Sequence, residues 1–288
     1  MSAASHPRIV LQGRWLTAGL VQAVASLAGA SRVQQCSDTV WTCDTYATDP
    51  GAARARIRAL ADAAQVDANF IGAPRKLTNF RLAVMDMDST LITIECIDEI
   101  ADMLGIKPEV AAITEAAMRG EIAYPESLRR RVALLKGLDV SALHRVYNER
   151  LRLSPGAEQL LSGFKAAGLK TLLVSGGFTF FTAKLQARLG LDFTHSNVLD
   201  IAPGDKLSGT VQGPIVDAEE KARMLIETCA KLGCTPADAI ALGDGANDLK
   251  MMAVAGLSVA YRAKPVVRAQ AMTAISHNGL DAILQFFD

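Results

Sequence analysis

Three apolar runs each stop abruptly at polar or glycine residues. Leu82-Ala-Val-Met85 stops at Asp86-Met-Asp88-Ser-Thr90, Lys170-Thr-Leu-Leu-Val174 at Ser175-Gly176-Gly177, and Ala239-Ile-Ala-Leu242 at Gly243-Asp244-Gly-Ala-Asn-Asp248. Short continuous runs bounded by turn residues predict strands buried on both faces, as in a parallel sheet. Helical stretches are expected at 156–167, 179–189 and after Asp217, where Asp217-Ala-Glu-Glu220 reads as an N-cap with an acid three residues on. Residues 192–215 read as a strand, a polar turn at Pro203-Gly-Asp205 and a return strand. A helix to Gly256, a strand over Leu257–Tyr261 and a final helical tail close the chain. The alternation predicts an α/β protein with a Rossmann-like core and a parallel sheet.

One block breaks that alternation. Four helical segments near 97–104, 108–119, 126–136 and 141–151, separated by glycines and Pro125, predict a helical cap inserted over about 93–153. It begins directly after the first acidic strand end, where a lid would exclude water. Residues 1–75 show another pattern: strands at 8–12, 32–38, 40–47 and 66–71 with helices at 18–27 and 51–64. This βαββαβ order resembles the small ferredoxin-like α+β domains, ACT domains included, that bind amino acids or pair subunits. The expected division is therefore a regulatory or dimerisation-like domain over 1–75 and a catalytic domain over 76–288, joined by the linker Gly72-Ala-Pro-Arg-Lys76. A structural appendage without a ligand is the alternative for the first part.

Composition narrows the function. Half of the 288 residues are hydrophobic, and 30 basic residues balance 30 acidic ones. That balance offers no footprint for nucleic acid or an anionic membrane. Five cysteines without CxxC spacing suggest neither a zinc site nor a disulfide framework. With no apolar stretch of membrane-span length and no signal-peptide order at the start, a reduced cytoplasmic protein is expected.

In a doubly wound sheet the carboxyl ends of the three runs converge on one edge, where ligands bind. Asp86 and Asp88, spaced i, i+2, leave their strand on one side. Asp86, Asp244 and Asp248 supply hard oxygen ligands of the kind Mg²⁺ takes together with a substrate phosphate. Ser175 and the amides of Gly176 and Gly177, just before a helix, would cradle phosphate oxygens. Lys221, in the first turns of a helix, gains a reason beside such a site, as a partner for phosphate charge.

These residues carry a resemblance. Asp86-Met-Asp88-Ser-Thr90, Ser175-Gly176, Lys221 and Gly243-Asp244-Gly-Ala-Asn-Asp248 are similar to the four successive motifs of the haloacid dehalogenase superfamily of phosphotransferases. Glu95, the segment Ser127-Leu-Arg-Arg-Arg131-Val and Val174-Ser-Gly-Gly-Phe178 resemble, more narrowly, the phosphoserine phosphatases. The resemblance spans about 84–264. It implies Mg²⁺-dependent hydrolysis of O-phospho-L-serine in serine biosynthesis, with Asp86 as nucleophile and Asp88 as acid and base. It implies metal contacts from Asp86, Asp244 and the Asp88 carbonyl, with Asp248 supporting, and phosphate contacts from Ser175, Gly176 and Lys221. Glu95 would meet the substrate ammonium, Arg131 its carboxylate and Tyr124 an apolar wall, with Gly177 and Asn247 completing the pocket.

His144 and His195 are read as packed or solvated, and Cys96 and Met251-Met252 as core. Rival readings are a phosphatase or phosphotransferase for another small phosphomonoester, such as phosphothreonine or homoserine phosphate, and an amino-acid sensor working through residues 1–75. A homodimer is the candidate assembly.

Overall fold

The structure is a computed structural model that describes residues 7–45, 51–72 and 75–287. The expected end of the third strand at 46–47, and Ala73-Pro74 within the linker, lie outside the described residues. The first part runs β1 (Arg8–Gln12), α1 (Ala18–Ala28), β2 (Arg32–Ser37), β3 (Val40–Asp44), α2 (Ala52–Ala63) and β4 (Asp67–Ile71). Its strands form an antiparallel sheet in the order β2-β3-β1-β4. Thr17 caps α1 by accepting the Leu20 N–H at 3.2 Å, and Gly29 ends the helix in the left-handed region at φ 59°, the conformation glycine adopts without cost.

Period two along β1 explains why that strand is buried throughout. Ile9 and Leu11 pack with Val21, Val24 and Ile57 under the two helices. Val10, on the opposite face, joins the large cluster of the second part. The small sheet is therefore covered on both sides, by its own helices and by the rest of the chain.

The second part opens on β5 (Leu82–Met85), and the cap follows as α3 (Cys96–Met103), α4 (Lys107–Met118), α5 (Tyr124–Ala133) and α6 (Ser141–Arg145), which passes into a wide turn over Val146–Arg150. The chain returns through α7 (Ala157–Ala166), β6 (Lys170–Phe178), α8 (Thr179–Leu189), β7 (Phe193–Ala202), β8 (Lys206–Gln212) and α9 (Ala218–Lys231). It closes with β9 (Ala239–Gly243), α10 (Leu249–Val254), β10 (Leu257–Tyr261), α11 (Pro265–Gln270) and β11 (Thr273–Ile275). The seven strands lie in the order β11-β10-β9-β5-β6-β7-β8, parallel except for β7 with β8. β5 is central and wholly buried. From it the chain winds out through β6 to one edge and then through β9 to the other, so the order reverses between β5 and β9, the place where such sheets bind ligands.

The final helical tail expected from the sequence is corrected. β11 pairs with β10, and only after it does a tight helical stretch, Leu280–Phe286, bury Leu280, Ile283 and Phe286. Three residues carry no readable period.

β11 is an edge strand, and the first part covers it. The Asn69 side chain exchanges both hydrogen bonds with Ala274, donating to its carbonyl at 2.9 Å and accepting its N–H at 2.7 Å. Buried Asp67 accepts the N–H groups of Ser276 (2.7 Å), His277 (3.2 Å) and Asn278 (3.1 Å). Bonds to a charged acceptor are worth about 1.5–3 kcal/mol, and their loss strands buried donors. Asp67→Ala is accordingly expected to destabilise the chain by roughly 3 kcal/mol, read as a lower denaturant midpoint with an unchanged slope.

Among the described residues no helix is long and apolar enough to cross a membrane.

Candidate active site

Past β5 the chain cannot continue as a strand. Asp86 still donates its N–H to the Leu242 carbonyl of β9 at 3.0 Å; Met87 then turns into the core, and Asp88 comes out on the side of Asp86. Ser89 takes φ 54°, unusual for a residue with a side chain, and such strain is retained where surrounding contacts over-determine it. Here the contacts are the Ser89 N–H on the Ile94 carbonyl at 3.2 Å and its Oγ donating to Glu95 Oε1 at 2.8 Å. The turn thus carries Glu95 to the mouth of the site.

Asp86, Asp244 and Asp248 bring one carboxylate oxygen each within 4.8 Å of one another. Lys221 Nζ, fully buried, lies 2.8 Å from Asp86 Oδ2 and 2.7 Å from Asp248 Oδ1. This lysine is not a solvated one. Burial opposes its charge, but Asp248 and Asp86 outweigh burial and hold its pKa above the ordinary lysine value. Asp248 is fully engaged, its Oδ2 accepting the N–H groups of Asp244 (3.1 Å) and Gly245 (3.0 Å). A Cβ on Gly243 would collide with the Asp248 carboxylate, so only glycine permits this approach. Three acids against one lysine leave two negative charges in a buried site. Burial and Asp248 push Asp86 well above the usual carboxylate range, and burial with the charges of Asp248 and Glu95 pushes Asp244 up to about 6. Three carboxylate oxygens this close together are hard donors of the kind a divalent cation takes, and Asp248, which accepts two backbone N–H groups besides Lys221, is the most fully engaged of the three.

Asp88 stands apart from that cluster. Its Oδ1 accepts the Cys96 N–H at 3.2 Å, and burial with the charge of Glu95 pushes it up to about 7. A carboxyl that holds its proton near neutral pH is suited to general acid work.

The C-terminal end of β6, where its register against β7 shifts between Ser175 and Phe178, forms the opposite wall. Buried Ser175 Oγ accepts the Gly177 N–H at 2.9 Å. The Gly176 carbonyl receives Asn197 Nδ2 at 2.7 Å and the Tyr124 hydroxyl at 3.4 Å. A Cβ on Gly177 would lie 2.7 Å from Met87 Cε and 3.0 Å from Asp88 Oδ2, so a side chain here would displace the methionine tip and crowd the Asp88 carboxylate. Tyr124 is therefore more than the apolar wall expected of it; its hydroxyl ties the cap to the glycine-rich end of β6.

Core and cap together line one cavity of about 620 Å³, which includes Asp86, Asp88, Ser175, Gly176, Gly177, Asp244 and Asn247 from the core and Glu95, Tyr124 and Arg131 from the cap. Of the three consecutive arginines, Arg129 and Arg130 are exposed, and Arg130 pairs with Glu126 at 2.7 Å. Arg131 is half-buried and reaches the cavity. His195 pairs with Glu220 at 2.8 Å and His144 packs edge-on against Phe180, both outside the cavity lining. Cys96 is core by its side chain, while its amide serves Asp88.

Four contributors are given no role at the site by the sequence reading. Thr90 Oγ1 donates to Asp244 Oδ1 at 3.0 Å. Buried Asn197 bridges the Gly176 carbonyl and the Val216 N–H (2.9 Å), locking the end of β6 to the approach of α9. Ser127 Oγ is buried against the cavity with no hydrogen-bond partner among the described residues. The Cys96 amide, as a backbone group, carries no residue-type signal.

Known proteins resemble this chain in sequence and fold. A family model described as haloacid dehalogenase-like hydrolase matches residues 80–256. Over 214 residues the chain is 61% identical to a phosphoserine phosphatase of Polaromonas sp. (strain JS666), covering 73% of this chain and 91% of that one. A probable phosphoserine phosphatase from Vibrio cholerae, in unliganded form, superposes with TM-score 0.81 at 36% identity, covering 97% of this chain and 85% of that one. A HAD family hydrolase from Salmonella enterica serovar Typhi superposes with TM-score 0.89 at 30% identity over 98% of both chains. The chain belongs to the haloacid dehalogenase-like hydrolases and, within them, to the phosphoserine phosphatases.

Proposed function

We propose that this chain hydrolyses O-phospho-L-serine to serine and inorganic phosphate, with Mg²⁺ as its metal, in the cytoplasmic synthesis of serine. The observation that carries the substrate is the single cavity in which the acids of the core face Glu95 and Arg131 of the cap. A carboxylate suits the substrate ammonium, and a guanidinium fork suits its carboxylate. Ser127, buried there without a partner among the described residues, is a further hydrogen-bonding group for the substrate. Residues 1–75 are read as a separate domain, and a second copy of the chain as the partner, which light scattering on the purified protein would test.

An Asp86 carboxylate oxygen attacks phosphorus as the bond to the serine oxygen breaks, and Asp88 delivers its proton to that oxygen. The resulting Asp88 carboxylate takes a proton from water, whose oxygen attacks phosphorus and breaks the bond to Asp86. Lys221 holds Asp86 in place and offsets its charge as phosphate approaches. The Ser175 hydroxyl, held by the Gly177 N–H, and the Gly176 amide receive the phosphoryl oxygens. A divalent ion held by Asp86 and Asp244 would supply charge neutralisation between nucleophile and phosphate.

Phosphate release from phosphoserine, phosphothreonine and an aryl phosphate tests the substrate. Phosphoserine is expected to lead, with phosphothreonine within about 10–200-fold, because one methyl discriminates weakly. Glu95→Gln and Arg131→Ala are expected to lose most of the preference for phosphoserine over the aryl phosphate; unchanged preference would refute the pocket assignment. EDTA is expected to stop turnover and Mg²⁺ to restore it.

A further inference from the structure

Away from the catalytic cavity, a cleft of about 590 Å³ opens between α2 and the segment that joins β10 to β11. Arg58 of α2, Arg262 after β10 and Arg268 of α11 line it, together with Asp62 and Ser276. Asp62, the one carboxylate on its wall among the described residues, is already engaged by Arg268 at 2.6 Å and His277 at 3.3 Å. Arg58, half-buried, makes no hydrogen bond or ion pair with any described residue. Burial and the charges of Arg54 and Arg268 hold its pKa below the ordinary arginine value. Arg268 Nε is buried without a partner among the described residues. Arg262 is held in the left-handed region at φ 45°, its N–H donating to the Ile275 carbonyl at 2.7 Å. Strain of that kind in a residue with a side chain is kept where the surroundings over-determine it, and here it holds Arg262 on a wall where Asp62 is the one carboxylate among the described residues facing three arginines.

We propose that this cleft binds a small oxyanion, a phosphate or a carboxylate, between the N-terminal part and the catalytic core. Guanidinium forks match the paired oxygens of such anions, and three arginines against one aspartate leave the wall an excess of two positive charges.

The site is also connected to catalysis. Arg262 and Arg268 face the cleft, while Lys264 and Val266 of the same segment line the catalytic cavity. Lys264 donates its N–H to the Asp244 carbonyl at 3.1 Å. An anion that ties Arg58 to Arg262 and Arg268 restrains that segment, so occupancy of either site alters affinity at the other. This coupling rests on the phosphatase reading; the binding itself does not.

The test is calorimetry on the full chain in Mg²⁺ buffer at constant ionic strength, with inorganic phosphate and malonate as probes. Wild type is expected to take up phosphate at two sites. Arg58→Gln/Arg262→Gln is expected to lose one of them by at least tenfold while keeping basal kcat/KM within twofold. Displacement of malonate by phosphate would identify the reaction's own product as the occupant, and the reverse a carboxylate. Identical isotherms for the two proteins, or a non-saturable response shared by both, would overturn the proposal. Removing clustered like charges should leave the variant melting no lower than wild type without anion. Should it melt lower, Arg58→Lys keeps the charge without the fork, and undiminished binding there would equally overturn the proposal.

Discussion

Asp86→Asn is expected to lower turnover of phosphoserine by roughly 10⁴-fold or more, since removing a nucleophile removes the step itself. The amide side chain is isosteric with the carboxylate, its oxygen can keep the Met87 N–H that Asp86 Oδ1 accepts at 2.7 Å, and the backbone bond to Leu242 is untouched. The new NH2 then faces Lys221, which loses Asp86 as an acceptor and keeps its 2.7 Å partner Asp248. One negative charge also leaves a buried cluster that holds too many, so the melting temperature is expected to hold or rise. Activity would be read as phosphate release, with mass spectrometry to exclude deamidation back to aspartate. Turnover near the wild-type rate in protein whose mass shows the Asp86→Asn change intact would rule out Asp86 as the nucleophile.

Lys221→Met carries the other large effect, and it reaches stability as well as activity. The lysine is fully buried and bridges two acids. Removing one partner of a buried ionic cluster leaves charge uncompensated, at a cost of about 3–5 kcal/mol. The sign with pH follows. Burial and the Asp248 charge already raise Asp86 against the pull of Lys221; without Lys221, Asp86 binds its proton in the folded state more tightly than in the unfolded chain, so the deficit is largest at high pH and shrinks as pH falls. Urea unfolding at two pH values in EDTA reads this directly. Adding Asp248→Asn should recover part of the stability and none of the activity, a non-additivity expected of groups in one network. A fully folded, active Lys221→Met would remove Lys221 from the site.

Much of this is legible in the chain because burial writes itself into runs and periods. The apolar stretches at 82–85, 170–174 and 239–242 form β5, β6 and β9, and the polar residues that end them meet at one edge of the sheet. The βαββαβ order of the first part is readable for the same reason. What escapes is of two kinds. Thr273–Ile275 is too short to show a period, so in the sequence pattern the edge strand β11 merges into a helical tail. Thr90, Asn197 and the Cys96 amide act through groups whose importance depends on what lies opposite them, and a chain order does not display that. The Tyr124 hydroxyl belongs with these: its partner is a carbonyl 52 residues away.

The way Asn69 closes the edge of the large sheet has a bearing on heredity. By occupying both hydrogen-bonding groups of Ala274 with a side-chain amide, the N-terminal part acts as a plug for a surface that would otherwise recruit another strand. A gene that lost it would encode an intact catalytic cavity together with an aggregation-prone flank. A chain without the N-terminal part is therefore expected to associate through 273–275, and a proline or a charge placed there is expected to blunt the edge, even though neither Asn69 nor Ala274 lines the catalytic cavity.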